Sequence, residues 1–154
     1  MMDLRGNATA ANPGRNFYTL SWDSGRTWSP AEELRYDDGG RFYAPSSMSS
    51  LLRHGRTGRL YWLGNISDRP TTGNSPRYPL YLAEVDERRP ALCRATLTIV
   101  DDYEPRRHSP AVQFSNFSVC EDRQTHAYEV FMTLMGEYPD VYTADVYRYL
   151  IRLA

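Results

Sequence analysis

Apolar and polar positions in this chain alternate over short runs, and almost nowhere do they recur at the three-to-four spacing of a helix. Eight runs read as strands: Phe17 to Trp22, Met48 to Arg53, Leu60 to Asn65, Tyr78 to Val85, Ala95 to Val100, Val112 to Cys120, Ala127 to Met135 and Val146 to Leu153. Turn-forming clusters separate them. His54-Gly55-Arg56-Thr57-Gly58 joins the second run to the third, Asp86 to Pro90 forms a charged turn, and Glu121 to Thr125 closes a hairpin. Two longer polar crossings run from Ser67 to Pro76 and from Asp101 to Pro110. Pro79 suits the beginning of a strand but not its middle. A turn is expected at Ala31 to Leu34, after Ser29-Pro30.

Taken in order, the strands make an antiparallel meander in groups. One group of four runs from Met48 to Val100, a group of three clear strands begins at Val112, and a half group precedes both. Four-stranded units recurring roughly every 50–60 residues are the signature of propeller blades. The expected class is therefore all-β, a partial β-propeller of about two to two and a half four-stranded antiparallel blades. Propellers close with about four to eight blades. Residues 1–154 are accordingly expected to be the C-terminal portion of one propeller domain, with the remaining blades supplied by sequence before residue 1. A compact β-sandwich of about nine strands is the other architecture this spacing allows.

The half group ends in the most specific local pattern of the chain. Residues 21 to 28 read Ser-Trp-Asp-Ser-Gly-Arg-Thr-Trp, which matches Ser-x-Asp-x-Gly-x-Thr-Trp, the Asp box, at all its fixed positions. Gly25 can take the positive φ of a tight turn. Asp23 can accept hydrogen bonds from turn amides, and turn formation rather than catalysis is its expected role. Ser21 and Thr27 are expected at matched positions on the flanking strands. Trp28 is expected to lie against the sheet, where full burial contributes about 2–3 kcal/mol.

Composition narrows the partners. The chain has 154 residues, 41% apolar and 24% charged, which is globular rather than disordered. Its 12 tyrosines favour strands and suit a sugar-binding surface. The formal net charge of −1 gives no basic field for nucleic acid. No apolar run approaches the roughly 20 residues needed to span a membrane. The first residues lack the apolar core of a signal peptide, so either the protein is cytosolic or its true N-terminus lies further upstream. An extracellular or periplasmic home is expected for the longer protein. Cys93 and Cys120 stand 27 residues apart with scattered histidines, which argues against zinc and leaves two buried thiols as the expectation, or one disulfide in an exported protein. Asp37-Asp38-Gly39-Gly40 lacks the alternation and closing Glu of a calcium loop. No metal or cofactor is expected.

Beyond the Asp box, further segments resemble the sialidase-like six-bladed propellers in their C-terminal part. They are Gly14-Arg15-Asn16-Phe17-Tyr18, Pro45-Ser46-Ser47-Met48, Thr57-Gly58-Arg59-Leu60, Trp62-Leu63-Gly64-Asn65 and Arg77-Tyr78-Pro79-Leu80-Tyr81-Leu82-Ala83. The resemblance covers residues 4 to 135 and is clearest from 15 to 86. It implies an exo-α-sialidase type of glycoside hydrolase, acting on a terminal acidic sugar as part of a longer chain. In that family an arginine cluster grips the substrate carboxylate, for which the planar guanidinium fork is suited. Arg77 and Arg5 fall near matching places. Asn65, at the end of a strand beside the long loop, is positioned to hydrogen-bond a sugar, with Ser46 and Ser47 at the same mouth.

The resemblance also implies a Tyr nucleophile activated by Glu, with an Asp acid/base. A neutral nucleophile suits an anionic sugar, because a carboxylate would be repelled. The Asp is expected before residue 1, so the chain alone is expected to be inactive. The Tyr is expected early in the last blade, before a Ser, where this chain reads Phe114-Ser115-Asn116-Phe117-Ser118. Tyr43, ahead of Ala44-Pro45-Ser46, is the substitute candidate. Glu121-Asp122-Arg123 reads as a solvated hairpin turn, and of Glu84 and Asp86 on one strand face only Asp86 reads as a turn residue. The absent Tyr supports a second reading, a non-catalytic Asp-box propeller that binds carbohydrate or protein. A third is a propeller hydrolase for a neutral sugar, using paired carboxylates.

Overall fold

The computed structural model describes residues 1–153 and is all-β, in three antiparallel sheets. The first holds β1 (Met2–Arg5), β2 (Asn16–Thr19) and β3 (Glu32–Glu33) in that order. In the second, β4 (Ser50–Arg53), β5 (Leu60–Asn65) and β6 (Leu80–Asp86) follow as a meander. The free edge of β6 is shared: β7 (Ala91–Leu92) pairs with its C-terminal end and β8 (Thr98–Asp101) with its N-terminal end. The third sheet is β9 (Ser118–Glu121), β10 (Tyr128–Thr133) and β11 (Val146–Ile151), with β10 central.

The middle sheet is covered on both faces, and the two-residue period of its strands explains how. In β5, Leu60 and Trp62 enter one core, with Tyr18, Leu34 and Phe42 from the first sheet and its connections. Tyr61 and Leu63 enter the other, with Tyr128, Val130 and Met132 of β10. β6 divides likewise: Ala83 and Val85 face the first sheet, Leu80 and Leu82 the third. Every residue of β5 is buried. Trp62, Leu63 and Leu80 are 0% exposed, and a large side chain so placed contributes about 1.5–3 kcal/mol. The layering is thus three sheets deep, not the two of a sandwich.

Several expected elements differ. Ala31 to Leu34 is extended: β3 pairs with β2, the Leu34 amide donates to the Asn16 carbonyl (2.9 Å), and the Leu34 side chain reaches the core. The run Ala95 to Val100 does not begin as a strand. Arg94–Thr96 winds into a 3-10 turn, in which the Thr96 hydroxyl donates to the Cys93 carbonyl (2.8 Å) and accepts from the Glu84 amide (2.9 Å). That local side-chain bonding competes with the ladder, so β8 starts at Thr98. Val112 to Phe117 is irregular although Val112 and Phe114 are buried, and Gln113 forms a single parallel bridge with Arg77. Cys93 and Cys120 are free, and neither is buried: Cys93 is half-buried and Cys120 exposed, because Cys120 lies on the outer face of the third sheet opposite Glu129. No described helix is long and apolar enough to cross a membrane.

Candidate anion-binding site

The Asp-box turn follows β2 and closes through the Ser29 amide donating to the Leu20 carbonyl (2.8 Å). Ser21 and Thr27 lie inside the turn rather than on flanking strands, because both serve Asp23. The Ser21 hydroxyl (2.8 Å) and the Arg26 and Thr27 amides (3.0 and 2.9 Å) donate to Asp23 Oδ1, and the Thr27 hydroxyl donates to Oδ2 (2.7 Å). Gly25 has φ +86° and its amide donates to the Ser21 hydroxyl (2.7 Å). Trp28 is not packed on the sheet. It is 42% exposed and folds over its own turn, with Nε1 donating to the Gly25 carbonyl (3.0 Å). These bonds are spent on shaping the turn.

Polar chemistry gathers instead where connecting segments of all three sheets meet. The Gly14 amide donates to the Thr71 carbonyl (3.1 Å), the Ala44 amide to Gly14 (3.0 Å), and the Ser46 amide to Gly73 (2.9 Å). Gly14 is required here by close approach, since a Cβ on it would stand 2.0 Å from the Ala44 carbonyl oxygen. Asn65 is the post that ties the third sheet in. Its Nδ2 donates to the carbonyls of Arg77 (3.0 Å), Phe114 (3.0 Å) and Pro79 (3.2 Å), and its Oδ1 accepts from the Ser47 hydroxyl (2.9 Å). Both of its polar atoms are engaged within the protein, so this side chain positions the loop and does not offer itself to a sugar.

What Asn65 positions is Arg77. Its backbone is gripped by Asn65 and by the Phe114 amide (2.9 Å), and its Nε donates to the Asn74 carbonyl (2.9 Å). The residue is only 8% exposed, yet no described carboxylate lies within ion-pair distance of it. Burial, and then the neighbouring charge of Arg5, lower the pKa of its guanidinium. Arg5 ends β1 opposite Asn16, is exposed, and forms no ion pair among the described residues. The charge of Arg5 thus acts on Arg77, and neither guanidinium forms an ion pair with a described carboxylate. Asn16 Oδ1 and Gln113 Oε1 are buried without a described hydrogen-bond partner. Asn16 faces Arg5 across the ladder, and Gln113 bridges to Arg77.

Tyr43 does not join this group. Its carbonyl accepts from the Ser67 amide (2.8 Å), and the Arg15 guanidinium lies 3.8 Å from its ring centroid. No carboxylate accepts from its hydroxyl among the described residues, and it opens on a cleft of about 660 Å³ to which neither Arg5 nor Arg77 contributes. A Tyr–Glu pair does exist elsewhere: the Tyr147 hydroxyl donates to Glu137 Oε1, which pushes the phenol pKa up to about 12. Glu137 is held by its peptide carbonyl, which accepts from the Ser109 amide (2.9 Å), and by Oε2, which accepts from the Asp145 amide (3.3 Å). Nothing in the sequence marked this pair, because the partners lie ten residues apart across an irregular loop. Glu121 also differs from a solvated turn residue. Both its oxygens accept from the Gly55 amide (2.9 Å each), and Oε1 bonds His126 Nδ1 (2.7 Å). Compared with protein-family models, with curated proteins and with solved structures, the chain matches none.

Proposed function

We propose that this chain is part of a sialidase-like Asp-box propeller, and that Arg77 and Arg5 grip the carboxylate of a terminal acidic sugar. The observation that carries this reading is a buried arginine with no carboxylate partner beside a second unpaired arginine. Burying a guanidinium unpaired is costly, and two like charges side by side add to the cost. A carboxylate ligand offsets both terms and matches the fork of each guanidinium. A completed propeller of this kind would act as an exo-α-sialidase. The non-catalytic binding reading is favoured by two features: Phe114 stands where a nucleophile is needed, and Tyr43 opens on another cleft.

Titration of the protein with free sialic acid, followed by NMR, tests the binding step. Saturable binding with Kd on the order of 1 mM is expected. It weakens about tenfold or more in Arg77→Ala, the loss expected for a charge-assisted hydrogen bond. Arg5→Ala, at an exposed position, gives the same direction of change without touching the core. Equal affinity for the methyl ester of the same sugar would sink the carboxylate assignment. Turnover of a fluorogenic sialoside by the protein that carries this chain separates the hydrolase from the binding module.

A further inference from the structure

We propose that the cleft beside Tyr43 is a second sugar site, separate from the arginine pair, and that it takes a neutral oligosaccharide. The cleft measures about 660 Å³, within the usual range for ligand pockets and roomy enough for more than one sugar ring. It is walled by Tyr36, Tyr43, Tyr78, Tyr81 and Tyr103. Tyr78 and Tyr103 stack on each other, with centroids 5.1 Å apart and planes 28° off parallel, which fixes a rigid aromatic plate at one wall. The last four tyrosines are half-buried, so each divides its ring between the protein and the opening.

The polar groups at this cleft are largely unspent. None of the five phenol hydroxyls donates or accepts a hydrogen bond among the described residues, unlike Tyr18, Tyr128, Tyr138, Tyr147 and Tyr149 elsewhere. Asp68 and the Arg69 guanidinium have no described partner, and Asp102 accepts only from the neighbouring Tyr103 amide (2.6 Å). Tyr81, Asp68 and Asp102 line the same cleft, and burial, then the charges of Asp102 and Asp68, raise the Tyr81 phenol pKa. The remaining cations are already matched: Arg41 pairs with Glu33 (2.7 Å) and Arg94 with Asp38 (2.9 Å).

The ligand class follows from the charge balance. A site for an anion or a cation presents one sign of charge, whereas this cleft offers Asp68 and Asp102 against Arg69. Carboxylates accept from hydroxyls and a guanidinium donates to them, while flat aromatic walls suit the C–H faces of a ring. That combination matches a neutral polyhydroxylated ring.

NMR titration of the protein with four neutral disaccharides (maltose, cellobiose, lactose and diacetylchitobiose) tests it. At least one is expected to bind with Kd on the order of 1–10 mM and to perturb tyrosine ring signals. Binding is expected to weaken about fivefold or more in Asp68→Ala and in Tyr103→Ala, and the bound disaccharide is expected to stay in place when free sialic acid is added. Asp68 and Arg69 are exposed, so Asp68→Ala and Arg69→Ala decide the matter if the tyrosine variant fails to fold. Three outcomes overturn the proposal: no saturable binding of any of the four sugars up to about 50 mM, well above the expected Kd; binding that survives both Asp68→Ala and Arg69→Ala; and displacement of the bound disaccharide by free sialic acid. The last would mean one site rather than two.

Discussion

Asp23 accepts four hydrogen bonds within a turn of a few residues, from the Thr27 amide and hydroxyl, the Ser21 hydroxyl and the Arg26 amide. All favour the carboxylate over the acid, and they lower its pKa from 3.8 to about 2, with the Thr27 amide the largest cause. A carboxylate depressed in the folded state stabilises the fold above its ordinary pKa, and that contribution is lost as pH falls from about 4 toward about 2. The Asp23 carboxyl carbon, followed by NMR, is expected to titrate with a midpoint at about 2, and to move upward in Thr27→Ala, which removes one donor. An ordinary midpoint in the native turn would show that these bonds are not formed in solution. The same residues explain what was legible. Asp23 was readable because its partners are sequence neighbours. Asn65 was not, because its partners include Ser47, Arg77 and Phe114, up to 49 positions away. Arg5 and Arg77 were named one by one, but nothing in the sequence stated that they would meet.

At the scale of elements, long apolar runs were legible and two-residue strands were not. β10 sits where its alternation placed it and β5 where a continuous apolar run placed it, whereas β3 and β7 are too short to carry a period and exist because a neighbour's edge was open. Contacts between turns are equally silent in sequence, and one of them joins the second sheet to the third. The turn after β4 offers the Gly55 amide to Glu121 at the end of β9, and His54 bonds Thr57 and the His126 carbonyl. The His126 side chain, then the Gly55 amide, hold the Glu121 carboxyl below its ordinary value of 4.5. By the linkage sign, this contribution is present above the ordinary value and disappears as pH falls through the lower, folded one. The stability gap between the native protein and Glu121→Gln, measured by urea unfolding, is expected to shrink as pH falls below the ordinary value of 4.5. A gap that persists unchanged to lower pH would remove Glu121 as the tie.

The whole molecule depends on one strand serving two cores. Trp62 and Leu63 are sequence neighbours with 0% exposure, yet they belong to different clusters, one toward the first sheet and one toward the third. Trp62 also reaches across to β1, donating from Nε1 to Asp3 Oδ2 (2.9 Å), where the Ser49 hydroxyl donates as well. Large-to-small changes at such sites cost about 3–5 kcal/mol for Trp→Ala and about 2–5 for Leu→Ala, out of a total stability of about 5–15. If each outer sheet were an independent unit, Trp62→Ala would lower hydrogen-exchange protection at the Tyr18 amide on β2 and leave Val130 on β10 untouched, with Leu63→Ala doing the reverse. Because β5 cannot lose its place in one core and keep it in the other, we expect both variants to lower protection at Tyr18 and Val130 together. A single unfolding transition should remain in each. Selective loss at one amide would show that the outer sheets open separately, and that the middle sheet alone keeps the arginine pair in register with its neighbours.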